Sequence, residues 1–211
     1  MQKQKVVLIG GGGHCRACID VIEATEQYTI LGVLDDHLAI ASSILDYTII
    51  GTDAEISRYH SEGCMFLITV GQIKSSKIRG AIFNLLKENE GKLITPISPK
   101  AYVSKYAEIG YGTIVMHGAT VNANASIGNN CILNTGCNIE HDVSIGSNTH
   151  ISTSAMVNGG CEIGNYVFIG SNATISNHVK ISDNSIIGAG AVVINDIVEP
   201  GIYVGNPAIK K

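Results

Sequence analysis

Residues 121–151 read VNANASIGNNCILNTGCNIEHDVSIGSNTHI, and an aliphatic side chain stands at every sixth position of this stretch. The same register runs without a gap from Ile97 to Val193. A second column, two residues before each aliphatic position, contains only small or β-branched residues from Ala107 to Ala191. A six-residue period matches neither the 3.6-residue turn of a helix nor the alternation of a long strand. It predicts an architecture of short repeated coils.

Glycines mark a longer period that contains three of these units. They recur every 18 residues in two series, Gly110, Gly128, Gly146, Gly164 and Gly170, Gly188. Three units per turn give a coil with three sides, and glycine suits a sharp corner that can need a positive φ. We therefore predict a parallel β-helix of triangular cross-section, with coils about 4.8 Å apart. The inward small column includes Cys131, Cys137 and Cys161, which we expect to be buried as small hydrophobic residues.

The composition argues against several classes of protein. The chain has 211 residues, a formal net charge of −4 and 14 Lys+Arg without a basic cluster, so we expect no nucleic-acid partner. It has no apolar run of about 18 residues, so we expect no membrane span. The apolar run Val6–Ile9 is too short for a signal peptide, which favours a cytoplasmic protein with reduced cysteines. The cysteine spacing fits no zinc pattern, and we expect no metal.

The first half of the chain has the pattern of a small α/β unit. Alternating strands and helices favour a parallel sheet. The second predicted helix carries Ile78, Ile82, Leu85 and Leu86 on one face, which we expect to pack on the core. The predicted strands are Lys5–Ile9, Thr29–Leu34, Phe66–Val70 and Lys92–Ile94, and the predicted helices run from about His14 to Glu26 and from Ser75 to Glu90.

Four consecutive glycines, Gly10 to Gly13, separate the first strand from the first helix. Backbone N–H groups at such a helix N-terminus can approach a phosphate. Asp35 and Asp36 end the second strand, where an acidic side chain can bind a ribose hydroxyl. The dinucleotide fingerprint is incomplete, because Cys15 stands where its last glycine belongs, so an NAD enzyme is disfavoured. A tight turn without a ligand remains the structural alternative.

The hexapeptide pattern resembles that of the left-handed β-helix acyltransferases. Over nearly its full length the chain resembles one subgroup, the sugar acyltransferases. This subgroup includes the sialic-acid O-acetyltransferases and the N-acetyltransferases of nucleotide-linked 4-amino-4,6-dideoxy sugars in bacillosamine and perosamine pathways. Two departures are Cys15 and Asp142, where relatives often have Gly and Glu. The resemblance rests on residues 9–14 with Asp35 and Asp36, on residues 134–142, and on residues 188–191 with 205–208.

The resemblance implies a Rossmann-like nucleotide-sugar-binding domain over residues 1–94. A left-handed β-helix that binds acetyl-CoA would follow over residues 95–211. It also implies a homotrimer with an active site between adjacent subunits, acetyl-CoA as co-substrate and a nucleotide sugar as acceptor, UDP being the favoured nucleotide.

Among the seven histidines, His141 stands out because Glu140 and Asp142 flank it. A carboxylate next to an imidazole orients the ring and increases its basicity. An imidazole that titrates near neutral pH suits removal of a proton from an amine. From the residues alone, a catalytic and a non-catalytic His141 are equally open. The resemblance implies that His141 is the general base and Asp142 its orienting carboxylate, with Glu140 as the alternative partner.

The remaining site residues are also implied by the resemblance. His150 is expected to donate to the thioester carbonyl, and Asn134 to assist in the substrate pocket, although Asn also serves structurally in turns. Backbone groups of Gly159, Gly188 and Ala189 are expected to contact acetyl-CoA. Gly11, Gly12, Gly13 and His14 would meet the phosphates, while Asp35 and Asp36 would meet the uracil or ribose. Cys137 points inward, so direct attack by the amine is favoured over an acyl-cysteine.

These features predict an acetyl-CoA-dependent N-acetyltransferase that acts on the 4-amino group of a nucleotide-linked deoxy-amino sugar. Sialic-acid O-acetylation on the same fold is the first alternative. A γ-type carbonic anhydrase is disfavoured because no clear set of three zinc-binding histidines is present. A non-catalytic scaffold is disfavoured by the two carboxylates around His141. His37 and His60 are expected to be solvated, and His117 and His178 to lie at a surface or an interface.

Overall fold

The computed structural model describes residues 3–73 and 75–211, and these residues form two compact units. The first unit comprises residues 3–71 and 77–96. The second comprises residues 72–73, 75–76 and 97–211.

The first unit is a five-stranded sheet with helices, as the alternating pattern predicted. The strand order is β3-β4-β2-β1-β5, and every pairing is parallel except that of β3 with β4. A short 3₁₀ helix, Asp53–Glu55, precedes α2. The strands are β1 Gln4–Ile9, β2 Tyr28–Leu34, β3 Ser43–Ile44, β4 Tyr47–Gly51 and β5 Met65–Ile68, and the helices are α1 Gly13–Thr25, α2 Ile56–Ser61 and α3 Lys77–Glu88.

Two details of this unit differ from the prediction. Ile82 and Leu86 of α3 are buried, but Ile78 is 66% exposed. The buried face is rotated towards Arg79, whose Nη1 donates to the carbonyl oxygens of Ile68 and Val70 at 2.6 and 3.0 Å. This side chain therefore takes the place beside the sheet that we predicted for Ile78. The predicted strand Lys92–Ile94 is reduced to one bridge between Leu93 and Phe66.

The second unit is a triangular parallel β-helix, as the six-residue period predicted. From Tyr102 to Val193 each strand is two residues long and pairs with the strand 18 residues away, so three sheets form the three faces. One face consists of β7 Glu108–Ile109, β10 Ser126–Ile127, β13 Ser144–Ile145, β16 Glu162–Ile163 and β19 Lys180–Ile181. The second consists of β6 Tyr102–Val103, β9 Thr120–Val121, β12 Asn138–Ile139, β15 Met156–Val157, β18 Thr174–Ile175 and β21 Val192–Val193. The third consists of β8 Ile114–Val115, β11 Ile132–Leu133, β14 His150–Ile151, β17 Phe168–Ile169 and β20 Ile186–Ile187, and continues into a hairpin of β22 Ile202–Val204 and β23 Ile209–Lys210.

The aliphatic and small columns fill the bore. From Val115 to Val193 every aliphatic member of the six-residue series is at most 3% exposed. Ile97, Val103 and Ile109 are less buried because they belong to the first coil, which has a neighbouring coil on one side only. Cys131, Cys137 and Cys161 are fully buried free thiols, as predicted.

The corner glycines are needed for a different reason from the one predicted. Gly110, Gly128, Gly146 and Gly164 do not have positive φ angles. A β-carbon on each of them would lie 2.3–2.6 Å from an atom of the next coil, with backbone atoms of that coil within 2.8 Å. Close stacking of the coils therefore excludes a side chain at these corners. Asparagines and other residues take up the positive φ angles elsewhere in the turns.

Candidate active site

His141 and Asp142 lie at the corner that follows β12, where the buried Ile139 anchors the chain. Both side chains are exposed, and His141 Nδ1 lies 2.8 Å from Asp142 Oδ2. A carboxylate accepts hydrogen bonds, so this contact places the proton of the neutral ring on Nδ1 and leaves Nε2 as the basic atom. Hydrogen bonds from Asn124 and His141 lower the pKa of Asp142, so this carboxylate is ionised at neutral pH.

Glu140 is turned towards a different set of partners. Its Oε2 accepts from Asn122 Nδ2 at 3.0 Å, and its Oε1 accepts from Asn138 Nδ2 at 2.8 Å. Both carboxylate oxygens are therefore used by amide groups, one from the preceding coil and one from β12. Of the two acidic neighbours of His141, the geometry pairs Asp142 with the imidazole.

Gly159 and Gly160 form a notch in the corner, one coil above His141 and Asp142. A β-carbon on Gly159 would lie 2.8 Å from His141 Cε1 and 2.9 Å from Nε2, so the ring edge occupies that space. A β-carbon on Gly160 would lie 2.3 Å from His178 Nδ1, so a second imidazole fills the other half. His178, predicted to lie at a surface or an interface, is exposed. Its position 18 residues beyond Gly160 is the signal that identifies it as a neighbour of the notch.

His150 lies on β14 and is only 4% exposed. Its Nδ1 is 2.5 Å from the backbone oxygen of Gln72, and its Nε2 is 3.1 Å from Asn134 Nδ2. The carbonyl can only accept, so Nδ1 carries the proton and Nε2 accepts from the Asn134 amide. In this arrangement the Nδ1–H of His150 is directed at the Gln72 carbonyl and its Nε2 accepts from Asn134, so the donation to the thioester carbonyl that the resemblance implied for His150 is not prepared here.

Asn134 is fixed from two sides. Its Oδ1 accepts from the backbone N–H of Thr135 at 2.8 Å, which identifies the amide orientation, and one Nδ2 hydrogen points to His150. The buried Gln72 side chain supports this group, because its Nε2 donates to the carbonyl oxygen of Asn148 at 2.9 Å. Gln72 was missed from the sequence, since no periodic signal links it to the β-helix.

Gly188 and Ala189 follow β20 at another corner. The N–H of Gly188 donates to the carbonyl oxygen of Tyr203 at 2.8 Å and is therefore used by the fold. A β-carbon on Gly188 would lie 2.7 Å from Val204 Cγ1, so the hairpin packs directly against this glycine. Ala189 is exposed, and its backbone is the part of this pair that can meet a ligand.

In the first unit, the glycine loop leads into α1. Gly12 is the N-cap, so no side chain caps the N-terminus of α1. The first turn of the helix, which includes His14, contains no acidic residue. A β-carbon on Gly12 or Gly13 would meet no atom within 4 Å, so the backbone here is open. This geometry suits an anion at the helix N-terminus.

Asp35 holds this loop in place. Its Oδ2 accepts from Gly11 N at 2.7 Å, and its Oδ1 accepts from the backbone N–H groups of His37 and Leu38. Partial burial alone would raise the pKa of Asp35, but the three backbone hydrogen bonds outweigh it and lower that pKa. Asp35 therefore shapes the loop, which leaves it less free than Asp36 to bind a ligand.

Asp53 joins Asp36 at a small cavity of about 70 Å³. Asp36 Oδ1 accepts from the backbone N–H of Asp53 at 3.0 Å. Burial and the charges of Asp36 and Asp35 raise the pKa of Asp53 to about 6. Asp53 was not predicted, because the short 3₁₀ helix that brings it to the cavity has no sequence period.

Some features of the structure lie apart from these candidate sites. A groove of about 590 Å³ lies on the face formed by β7, β10, β13, β16 and β19. It includes the ion pair of Glu162 and Lys180 but none of the predicted site residues. Over residues 3–73 and 75–211, no group of three or more His, Cys, Asp or Glu is arranged to hold a metal ion. The helices in the same ranges include none long and apolar enough to cross a membrane.

Comparison with known proteins identifies both units. The family described as PglD N-terminal domain matches residues 5–86, and bacterial transferase hexapeptide repeats match residues 142–177 and 160–195. UDP-N-acetylbacillosamine N-acetyltransferase of Bacillus subtilis is 33% identical over 115 residues, which cover 54% of this chain and 51% of that protein. The match therefore spans about half the length of this curated relative.

Solved structures match over almost the whole chain. The acetyltransferase domain of PglB from Neisseria gonorrhoeae, in complex with acetyl coenzyme A, is 30% identical with a TM-score of 0.92, covering 100% of both chains. PerB from Caulobacter crescentus, in complex with CoA and GDP-perosamine, is 29% identical with a TM-score of 0.91, covering 98% of this chain and 97% of that one.

The two units and their repeats define a hexapeptide-repeat transferase. The chain belongs to the sugar acetyltransferase family that joins a PglD-type N-terminal domain to these repeats. The predicted fold, a Rossmann-like domain followed by a left-handed parallel β-helix, is confirmed.

Proposed function

We propose that this protein transfers the acetyl group of acetyl-CoA to the 4-amino group of a nucleotide-linked 4-amino-4,6-dideoxy sugar. The observation that carries the proposal is the pairing of His141 Nδ1 with Asp142 Oδ2 at 2.8 Å, with Nε2 facing Gly159. The named activity of the Bacillus subtilis relative and the ligands of the PerB and PglB structures support the reaction class. UDP is the nucleotide that we favour.

In this proposal, Nε2 of His141 is the general base. A sugar ammonium must lose a proton before its nitrogen can attack, and the neutral imidazole can take the proton of the attacking amine. The nitrogen forms a bond to the thioester carbon, and the carbon–sulfur bond then breaks. Coenzyme A leaves as a thiolate that takes up a proton, and the acetyl group remains on the sugar nitrogen as an amide.

A cysteine nucleophile is not required. Burial raises the pKa of Cys137 to about 12, so this thiol is protonated at neutral pH and has no access to an acyl donor. Direct attack by the amine is the simpler course.

Hydrogen-bond donors must meet the oxygen that becomes negatively charged during attack. The N–H of Gly159 is used by none of the hydrogen bonds in the part of the chain that the structure describes, and a β-carbon on this glycine would lie 2.9 Å from Nε2 of His141. We assign the first donor to this N–H. We assign the second donor to Asn134, with His150 holding its amide in position. The exposed backbone of Ala189 would contact the carrier further along, while Gly188 is bonded within the fold.

The first unit would bind the nucleotide sugar. The open N-terminus of α1, with Gly12, Gly13 and His14, would hold the phosphates. The N–H of Gly11, which we also predicted to meet them, is bonded to Asp35 instead. Asp36 would meet the uracil or ribose, and Asp35 would act by fixing the loop. An acidic pair repels phosphate, so these carboxylates would face the base or the sugar hydroxyls.

We further propose a homotrimer with an active site between adjacent subunits. The outer face of β6, β9, β12, β15, β18 and β21 carries exposed apolar side chains, with Tyr102 at 60% and Met156 at 42% exposure. Such a face suits burial against another copy. A cytoplasmic setting belongs to the same proposal because the co-substrate is acetyl-CoA.

The direct test is release of coenzyme A from acetyl-CoA, followed with a thiol reagent. The acceptors are UDP-linked 4-amino-4,6-dideoxy sugars, GDP-perosamine, free sialic acid and CMP-linked sialic acid. Fast release with one amino sugar, with the product heavier by one acetyl group, supports N-acetylation and identifies the nucleotide. Release with sialic acid alone would replace the proposal with O-acetylation. The lack of release with every acceptor would overturn the assigned acceptor class.

A further inference from the structure

Asn124 lies one coil before Asp142, at the same position of the turn. The two residues are 18 positions apart, and both have a left-handed backbone, with φ of 61° and 60°. Asn124 Nδ2 lies 2.7 Å from Asp142 Oδ1. The other oxygen, Oδ2, lies 2.8 Å from His141 Nδ1. The carboxylate therefore connects Asn124 on one side with His141 on the other.

This bridge restrains a carboxylate that would otherwise rotate freely in solvent. The backbone supports the same stack, because Asp142 N donates to the carbonyl oxygen of Ala123 at 3.2 Å. Rotation of the Asp142 side chain would move Oδ2 away from the imidazole. The amide of Asn124 opposes that rotation by holding Oδ1.

Glu140, the other acidic neighbour of His141 in the sequence, is not placed to replace Asp142. Both oxygens of Glu140 are occupied by the amides of Asn122 and Asn138. The imidazole that lies nearest on the far side, His178, fills the space above Gly160 and is itself a positive group when protonated. The orientation of His141 thus depends on Asp142, and that of Asp142 on Asn124.

We propose that Asn124 is a positioning residue for the acetyl transfer, acting through Asp142 to fix the ring and the tautomer of His141. This inference rests on the proposed function, in which His141 is the base. An amide from the preceding coil thus secures the carboxylate that orients the ring.

The test variant is Asn124→Asp, which keeps the size of the side chain and its tolerance for a left-handed backbone but replaces the donor with an acceptor. The matched control is Asn184→Asp, at an exposed turn position with φ of 59° on a different corner. We expect Asn124→Asp to lower kcat about 10- to 100-fold while the KM values of both substrates stay within about threefold. The control should retain wild-type kcat.

A second readout is independent of turnover. The ¹⁵N chemical shifts of His141 report which ring nitrogen carries the proton, and the wild type should show mainly the Nδ1–H form. Asn124→Asp should shift the population towards Nε2–H, whereas Asn184→Asp should not. Unchanged shifts and unchanged kcat in Asn124→Asp would overturn the inference. If no acceptor supports turnover in the wild type, the proposed function fails, yet the tautomer measurement still tests Asn124.

Discussion

His141 Nδ1 is held 2.8 Å from Asp142 Oδ2, while the opposite edge of the ring lies against Gly159. The ring is thus oriented by a carboxylate on one side and by a residue without a side chain on the other. The basic nitrogen faces the notch formed by Gly159 and Gly160.

The two acidic neighbours of His141 should respond differently to loss of charge. Asp142→Asn should lower kcat about 10- to 100-fold, because the carboxylate that orients the ring and stabilises the imidazolium is removed. Glu140→Gln should lower kcat less than about threefold, because Glu140 serves the amides of Asn122 and Asn138. Steady-state kinetics of both purified variants provide the comparison. A larger loss in Glu140→Gln would contradict the assignment of Asp142.

Two glycine substitutions should separate the site from the scaffold. In Gly159→Ala the added methyl would displace the exposed ring of His141, so kcat should fall with little change in Tm. In Gly164→Ala the methyl would lie 2.6 Å from the backbone nitrogen of Asp183, so Tm should fall by several degrees. The folded Gly164→Ala protein should keep the kcat of the wild type. Thermal unfolding and kinetics on the same samples test both, and full activity in Gly159→Ala would refute the contact with His141.

Asn134 and His150 should act as one unit. The amide of Asn134 is oriented by the imidazole of His150, so either Ala substitution should remove most of the same interaction. The double variant should be about as slow as the slower single variant. The measurement is kcat/KM for acetyl-CoA in the wild type, the two single variants and the double variant, which together form a double-mutant cycle. Multiplication of the two single losses would show that the residues work independently.

Asp53 should destabilise the protein as it ionises. Its pKa of about 6 lies above the ordinary aspartate value, so the folded state binds the proton more tightly than the unfolded state. Stability is therefore lost as pH rises from about 3.9 to about 6 and stays at the lower level above that range. Asp53→Asn should raise Tm at pH 7.5, with the gain vanishing near pH 3.5. Asp46→Asn, at an exposed position, is the control and should show no such dependence.

The β-helix could be predicted from the sequence because each coil buries the same kinds of side chain at the same positions. The six-residue spacing of Ile139, Ile145 and Ile151 places one buried aliphatic side chain on each face of the β-helix. The role of the corner glycines could not be obtained from spacing alone. A glycine needed for a positive φ and a glycine needed for close stacking look identical in sequence.

The site was only partly predictable for a related reason. His141 and Asp142 are adjacent in the chain, so their pairing could be proposed from local sequence. Asn124 and His178 could have been found by aligning positions at the 18-residue period, which places them in the column of Asp142 and Gly160. Gln72 and Asp53 come from irregular segments, where tertiary packing decides the position and no period exists. The prediction that Ile78 lies on the buried face of α3 was wrong, because Arg79 is buried there by its hydrogen bonds to two backbone carbonyls.

The central claim is that His141 removes the proton from the attacking amine. Its most direct test is kcat/KM of the wild type and of His141→Ala, measured by coenzyme A release with the best nucleotide-linked amino sugar. We expect a loss of about 100-fold or more, with the affinity for acetyl-CoA retained. Turnover of His141→Ala within about threefold of the wild type would contradict it.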